Sequence, residues 1–169
     1  AVAGETGGFG LTGITAGPHS AAPQVRNATI VHNTILNAPV GVRLGWSRAT
    51  NMVFCNNAIF CPAETAVRAD GTGTALFRRN AVHGRVSGIA VDDRQFFDGG
   101  LPTAALVDAV NRDFWPKPGS PLLGRADADF APTLDFNLTR RGPPFDVGAY
   151  EVEGRPRNPG WAIQDGFKR

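Results

Sequence analysis

The sequence repeats itself. Asn27-Ala28-Thr29-Ile30-Val31-His32-Asn33-Thr34-Ile35 returns as Asn51-Met52-Val53-Phe54-Cys55-Asn56-Asn57-Ala58-Ile59. It returns again, weaker, as Thr74-Ala75-Leu76-Phe77-Arg78-Arg79-Asn80-Ala81-Val82. Asn33 and Asn57 are 24 residues apart, and Asn57 and Asn80 are 23 apart. A fixed period in the low twenties, made of short β-rich pieces, is the mark of a solenoid. In such a fold, residues one period apart lie about 4.8 Å apart, the spacing of neighbouring strands.

A second register runs alongside the first. Gly41-Val42-Arg43-Leu44-Gly45 aligns with Ala66-Val67-Arg68-Ala69-Asp70, and then with Gly88-Ile89-Ala90-Val91-Asp92. Gly13-Ile14-Thr15-Ala16-Gly17 reads as the same strand one period earlier. Each period therefore carries at least two short strands, with insertions confined to the turns.

The alignment separates inside from outside. Ile30, Phe54 and Phe77 form one apolar column, Ile35, Ile59 and Val82 a second, and Val42, Val67 and Ile89 a third. Asn33, Asn57 and Asn80 form a polar column at a corner, where Asn tolerates a left-handed bend and stacked amides hydrogen-bond along the ladder. A helical solenoid does not fit a repeat rich in Val, Ile, Thr, Phe and Asn that has no sustained 3.6-residue period. Only Thr103–Val110 reads as a helix, with Thr103 as its N-cap.

The Asn-x-x-Ile-x-x-Asn-x-Ile repeats resemble those of secreted right-handed parallel β-helix proteins of the pectate-lyase-like superfamily. The segment Asp113-Phe114-Trp115-Pro116-Lys117-Pro118-Gly119-Ser120-Pro121-Leu122 is similar to the closing region of many such bacterial proteins. So are Asp135-Phe136-Asn137-Leu138-Thr139-Arg140-Arg141 and the ending Asp146-Val147-Gly148-Ala149-Tyr150-Glu151, familiar from bacterial surface proteins. The resemblance implies an all-β fold: a right-handed parallel β-helix, a solenoid with turns of about 22–28 residues, closed by an irregular C-terminal capping region. It implies an extracellular or cell-surface location. It also implies ligands along the outer face of one sheet, where the family's polysaccharide lyases, hydrolases and epimerases work.

The expected organisation is residues 1–92 as repeat turns, 93–152 as the capping region and 153–169 as a basic tail with Arg155, Arg157, Lys168 and Arg169 beside Trp161 and Phe167. The 169 residues fit one domain. A net charge of +2 is too small to argue for nucleic acid, and no run of 18 apolar residues predicts a membrane span. The opening Ala1-Val2-Ala3-Gly4-Glu5 has neither a charged leader nor an apolar core of the signal-peptide kind. The apolar residues Phe9, Leu11 and Ile14 at the first turn need a cover. A partner polypeptide or an upstream segment of the same product is expected at that N-terminal face; the simpler alternative is that residues 1–12 fold over it.

Candidate chemistry gathers after the second strand. Arg43 and Arg68 stack one strand spacing apart, with Asp70 and Asp92 stacked beside them and Trp46 in the adjoining turn. Arginines so placed suit the carboxylates of an acidic sugar polymer, and Trp46 offers a ring for a sugar to stack on. The aspartates suit a calcium ion or acid–base work on a glycosidic bond; no other cofactor and no metal site is expected. The plain alternative is a solvated face of weak surface ion pairs.

His32 heads an outward column with Asn56 and Arg79 below it, which would suit a lyase base, though a lone surface His usually has no such role. His19 and His83 have no evident partners. Cys55 and Cys61 are too far apart along an extended chain for a disulfide and are expected to be free thiols. Two function classes remain: the C-terminal part of an extracellular β-helix protein that binds or processes polysaccharide, and a non-catalytic structural or adhesive surface protein or subunit of a larger assembly.

Overall fold

The computed structural model describes residues 12–16, by their backbone, and residues 25–154. The strands are β1 (Thr12–Ala16), β2 (Thr29–Val31), β3 (Thr34–Leu36), β4 (Val40–Leu44), β5 (Thr50–Cys55) and β6 (Ala58–Ala69). They continue as β7 (Thr74–Arg78), β8 (Asn80–Ser87), β9 (Phe96–Asp98), β10 (Leu106–Asp108) and β11 (Asp113–Pro116). A single turn of helix, α1 (Pro102–Ala105), and a 3₁₀ turn at Ala128–Phe130 are the helical elements among the described residues. None is long and apolar enough to cross a membrane.

Strands one sequence period apart pair in parallel. Ile30 lies opposite Phe54, and Phe54 opposite Phe77, in the three-stranded sheet β2-β5-β7. Ile35 lies opposite Ile59, and Ile59 opposite Val82, in a six-stranded sheet of order β1-β4-β6-β8-β9 with β3 also on β6. Val, Ile, Thr and Phe occupy these strands because branched and aromatic side chains fit a pleated, packed surface.

The right-handed parallel β-helix itself is corrected. The described strands form two small open sheets and a separate antiparallel pair, β10-β11; the closed, evenly stacked turns of a solenoid are not evident. Two features work against even stacking. The register slips between Phe60, Thr65 and Val67 on β6 and again between Thr50 and Met52 on β5. The twelve-residue β6 also runs past both β3 and β4, so one strand spans what the repeat predicts as separate pieces.

The slip also corrects the third apolar column: Val67 lies opposite Val86, not Ile89. Ile89 packs against the core from the loop that follows. The expected helix over Thr103–Val110 shortens to Pro102–Ala105, with Leu101 at its N-cap and no side-chain cap. Leu106 onward is drawn instead into the antiparallel ladder with β11. Four residues are too few to hold a helix without such support.

Two apolar clusters fill the molecule. One lies between the two sheets and holds Ile35, Val42, Leu44, Trp46, Met52, Phe54, Ile59, Val67, Phe77 and Phe96. The other lies on the opposite face of β3, β6 and β8. There Leu36, Ala58, Phe60 and Ala81 meet Phe97, Leu106, Phe114, Trp115, Leu122, Val147 and Tyr150. The segment after β9 therefore lies along the flank of the sheet, against β3 as well as β8.

Phe9 and Leu11, the side chain of Ile14, His19 and the basic tail from Arg155 lie outside the described residues, and with them the expected contact at the N-terminal face.

Candidate functional site

The corner between the two sheets is built from a repeated pair of residues. His32, Asn56 and Arg79 have φ of 52°, 59° and 53°, so the left-handed bend falls on them and not on the asparagines that follow. Asn33, Asn57 and Asn80 form the amide ladder. Asn33 Nδ2 donates to Asn57 Oδ1 at 2.9 Å, and Asn57 Nδ2 to Asn80 Oδ1 at 3.0 Å. The same oxygens accept the backbone N–H of Asn33 and of Asn57, each at 3.1 Å. Asn57 Nδ2 and Asn80 Nδ2 also donate to the carbonyls of Ile30 and Phe54. These side chains satisfy backbone groups that the bend removes from the ladders.

His32 is buried, not a surface base. Its Nδ1 lies 3.2 Å from the carbonyl of Gly148, and its Nε2 3.0 Å from Asn56 Nδ2. A carbonyl can only accept and an amide NH₂ can only donate. The network therefore assigns the neutral tautomer with the proton on Nδ1. Burial, with Arg141 nearby, lowers the His32 pKa to about 3. Asn56 closes the other side: its Oδ1 accepts the Asp127 N–H at 2.7 Å, and its Nδ2 donates to the Asp127 carbonyl at 2.9 Å.

Gly148 completes the junction. Its N–H donates to the Asn56 carbonyl at 2.9 Å. With φ of 100°, and with Thr34 Oγ1 2.8 Å from where a Cβ would sit, only glycine fits there.

The acidic residues of the C-terminal segment surround Arg141. Arg141 pairs with Glu151, and its guanidinium also donates to the carbonyls of Gly148 at 2.8 Å, Ala149 at 3.1 Å and Asp146 at 3.3 Å. Glu151 accepts the Asp146 N–H, Asp135 accepts the N–H groups of Asn137, Thr139 and Glu151, and Asp146 accepts those of Gly124 and Val152. Burial pushes Glu151 up to about 7, against the pull of Arg141. These carboxylates and this guanidinium are occupied in holding the chain.

Of the residues predicted for ligand binding, three meet. Arg43 and Arg68 are register partners on β4 and β6, about half exposed. Asp70 lies 3.6 Å from Arg43 and 3.9 Å from Arg68. Two are elsewhere. Trp46 is fully buried between Phe54 and Phe77, with ring centroids 6.3 and 5.9 Å away, because the turn folds its ring into the inter-sheet core. Asp92 is not stacked on Asp70: the register slip places Ser87 opposite Arg68. Asp92 Oδ1 instead accepts the N–H of Arg94 at 2.8 Å and of Gln95 at 3.0 Å.

Asp92 lines a groove of about 430 Å³ with Arg78, Arg79, Arg94, Gln95 and Asp127, a grouping that the sequence alignment missed. Among the described residues no group of three or more His, Cys, Asp or Glu side chains is placed to hold a metal ion. His83 has Asp98 3.7 Å away, a partner not evident in the sequence. Cys55 and Cys61 are free and buried, and burial raises both thiols. Compared with known proteins, the chain matches no family model, no curated protein and no solved structure.

Proposed function

We propose that the protein is an extracellular module that binds acidic polysaccharide, and that it binds rather than processes it. The observation that carries this reading is the Arg43–Arg68 pair. Two guanidiniums in parallel register stand on an exposed strand face with one carboxylate, Asp70, between them. One carboxylate cannot neutralise two cations, and exposed ion pairs at 3.6 and 3.9 Å exchange easily for a ligand's carboxylates. Guanidinium groups suit such ligands through bidentate contacts. Binding is favoured over catalysis because the buried titratable groups, His32, Arg141, Asp146 and Glu151, are committed to backbone and side-chain partners within the chain.

Affinity electrophoresis through a polyuronate gel, with a neutral glucan gel as control, tests the reading. Retardation in the polyuronate gel alone, lost in the Arg43→Ala/Arg68→Ala protein, is the expected outcome. Equal mobility in both gels would overturn it. A second reading, a structural or adhesive component, draws on one observation: Leu134, Phe136 and Leu138 stand exposed together on one loop. Self-association in light scattering, without retardation in either gel, would favour it.

A further inference from the structure

The groove beside the third corner carries an inference independent of the glycan reading. We propose that it is an oxyanion-binding site, taking the sulfate, phosphate or carboxylate group of a ligand through Arg79 and Arg94. Three observations converge on it. The first is charge. Arg78, Arg79 and Arg94 line the groove against two carboxylates, Asp92 and Asp127. Asp127 is engaged by Arg78 at 3.2 Å and by the N–H of Asp129. Asp92 has one oxygen bonded to two backbone amides. Among the described residues, neither Arg79 nor Arg94 has an ion-pair or hydrogen-bond partner for its guanidinium, so two cations lining one concavity are unspent.

The second is fixed placement. The Arg79 N–H donates to the Arg94 carbonyl at 2.9 Å, and the next residue repeats the bond, Asn80 N–H to the Gln95 carbonyl at 2.9 Å. The two arginines therefore spring from backbones in hydrogen-bond register. The Asp92 carboxylate holds the loop, and Asn56 clamps the Asp127 wall on both its N–H and its carbonyl. A preformed frame lowers the ordering cost of binding.

The third is the residue choice at the corner. Arg79 occupies the left-handed position that the earlier repeats give to His32 and Asn56. Asn meets that backbone at less cost than arginine. An arginine there accepts backbone strain while its charge adds no bond to the fold. Guanidinium geometry matches tetrahedral and planar oxyanions through paired donors, and the volume is of the size that holds a small polar group and part of its carrier.

Backbone-amide NMR titration of the full chain with sodium sulfate, sodium phosphate and sodium acetate tests the site, with sodium chloride at matched ionic strength as control. Saturable shifts are expected at Arg79, Arg94 and Gln95, and the anion saturating at the lowest concentration names the group. The Arg79→Asn/Arg94→Gln protein should bind at least tenfold more weakly. Asn keeps the bend, and unchanged shifts at Asn33 and Asn57 would show that the fold persists. The Arg43→Ala/Arg68→Ala protein should keep the groove response even if it loses glycan binding. Absence of saturable shifts at the groove, or their survival in the Arg79→Asn/Arg94→Gln protein, would overturn the proposal.

Discussion

The repeat region and the segment after β9 bury polar groups by opposite means. Between Asn27 and Asn80 the work is distributed. Each asparagine of the ladder serves its neighbour one period away, and the same bonds recur at Asn33, Asn57 and Asn80. Between Gly99 and Gly154 it is concentrated. One guanidinium, Arg141, answers Glu151 and three carbonyls, and the aspartates around it answer backbone N–H groups. A distributed network loses a step when one member goes. A hub loses its centre.

The largest effect should therefore come from the hub. Arg141→Met leaves Glu151 buried without its cation and removes the guanidinium's bonds to three carbonyls, of which Gly148 and Ala149 keep the His32 ring and the Phe136 N–H as donors. Breaking one side of a buried pair costs about 3–5 kcal/mol. Urea unfolding should show that loss for Arg141→Met, and a smaller one for Arg141→Met/Glu151→Leu, in which the Glu151 carboxylate is no longer there to be stranded. A double variant less stable than Arg141→Met would mean that the pair itself is not what holds the segment.

The ladder should respond less, and by position. Asn57→Ala removes the acceptor of two Asn33 donors and the donor to both Asn80 Oδ1 and the Ile30 carbonyl. At about 0.5–1 kcal/mol per hydrogen bond, the loss of these bonds is about 2–4 kcal/mol. Asn33→Ala, at the end of the ladder, should cost about 1 kcal/mol. Equal costs at the two positions would break the picture of a shared ladder.

Much of the repeat region is legible in the sequence. The columns Ile30-Phe54-Phe77 and Ile35-Ile59-Val82 and the asparagine ladder follow from spacing alone, because parallel pairing turns a period into a contact. The closed solenoid does not follow from those columns, since spacing says which residues pair and not whether the sheets close. The misplacement of Ile89 and Asp92 comes from the slip at Thr65–Val67, where turn insertions hide the register.

The second core was legible in part. Ala58-Ile59-Phe60-Cys61 is an unbroken apolar run, the pattern of a strand covered on both faces, yet alternation directs attention to Ile59 alone. The Arg141 hub is illegible by periodicity because it occurs once. Its signal is the motif Asp146–Glu151 itself, in which two acidic residues bracket the run Val147-Gly148-Ala149-Tyr150. The place of Trp46 after a strand predicts a surface ring; a turn residue can point inward, and nothing in the spacing says which way.

His32 joins the two regions, so its titration tests the seam between them. Its pKa falls from 6.5 to about 3 on folding. A depressed pKa means that the unfolded chain takes up a proton that the folded one refuses. The stability contributed by neutral His32 is complete above pH 6.5 and is lost as pH falls toward 3. Glu151 acts in the opposite sense: raised from 4.5 to about 7, it takes up its proton earlier in the folded state, so its contribution favours folding as pH falls through that window. The two oppose each other in the wild type, and the comparison with His32→Asn isolates the histidine. The stability of the wild type relative to His32→Asn should fall by about 2 kcal/mol between pH 7 and pH 5, at about 1.4 kcal/mol per pH unit below 6.5. A pH-independent difference would mean that His32 does not hold a neutral ring between Gly148 and Asn56.

The smallest effect on stability should come from the face proposed to bind. Arg43 and Arg68 belong to the repeat region by register but their side chains take no part in the asparagine ladder: they are about half exposed, and Asp70 is their ion-pair partner among the described residues. Exposed pairs of this kind contribute about 0–1 kcal/mol. Arg43→Ala/Arg68→Ala also relieves the repulsion between two like charges one strand spacing apart, which offsets part of the loss. The net change in unfolding free energy should be within about 0.5 kcal/mol of zero, while retention by acidic polysaccharide is abolished. That pairing of outcomes separates a surface kept for a ligand from one kept for the fold. A loss of 2 kcal/mol or more in urea unfolding would assign the arginine pair to the distributed network and remove the ground for the binding proposal.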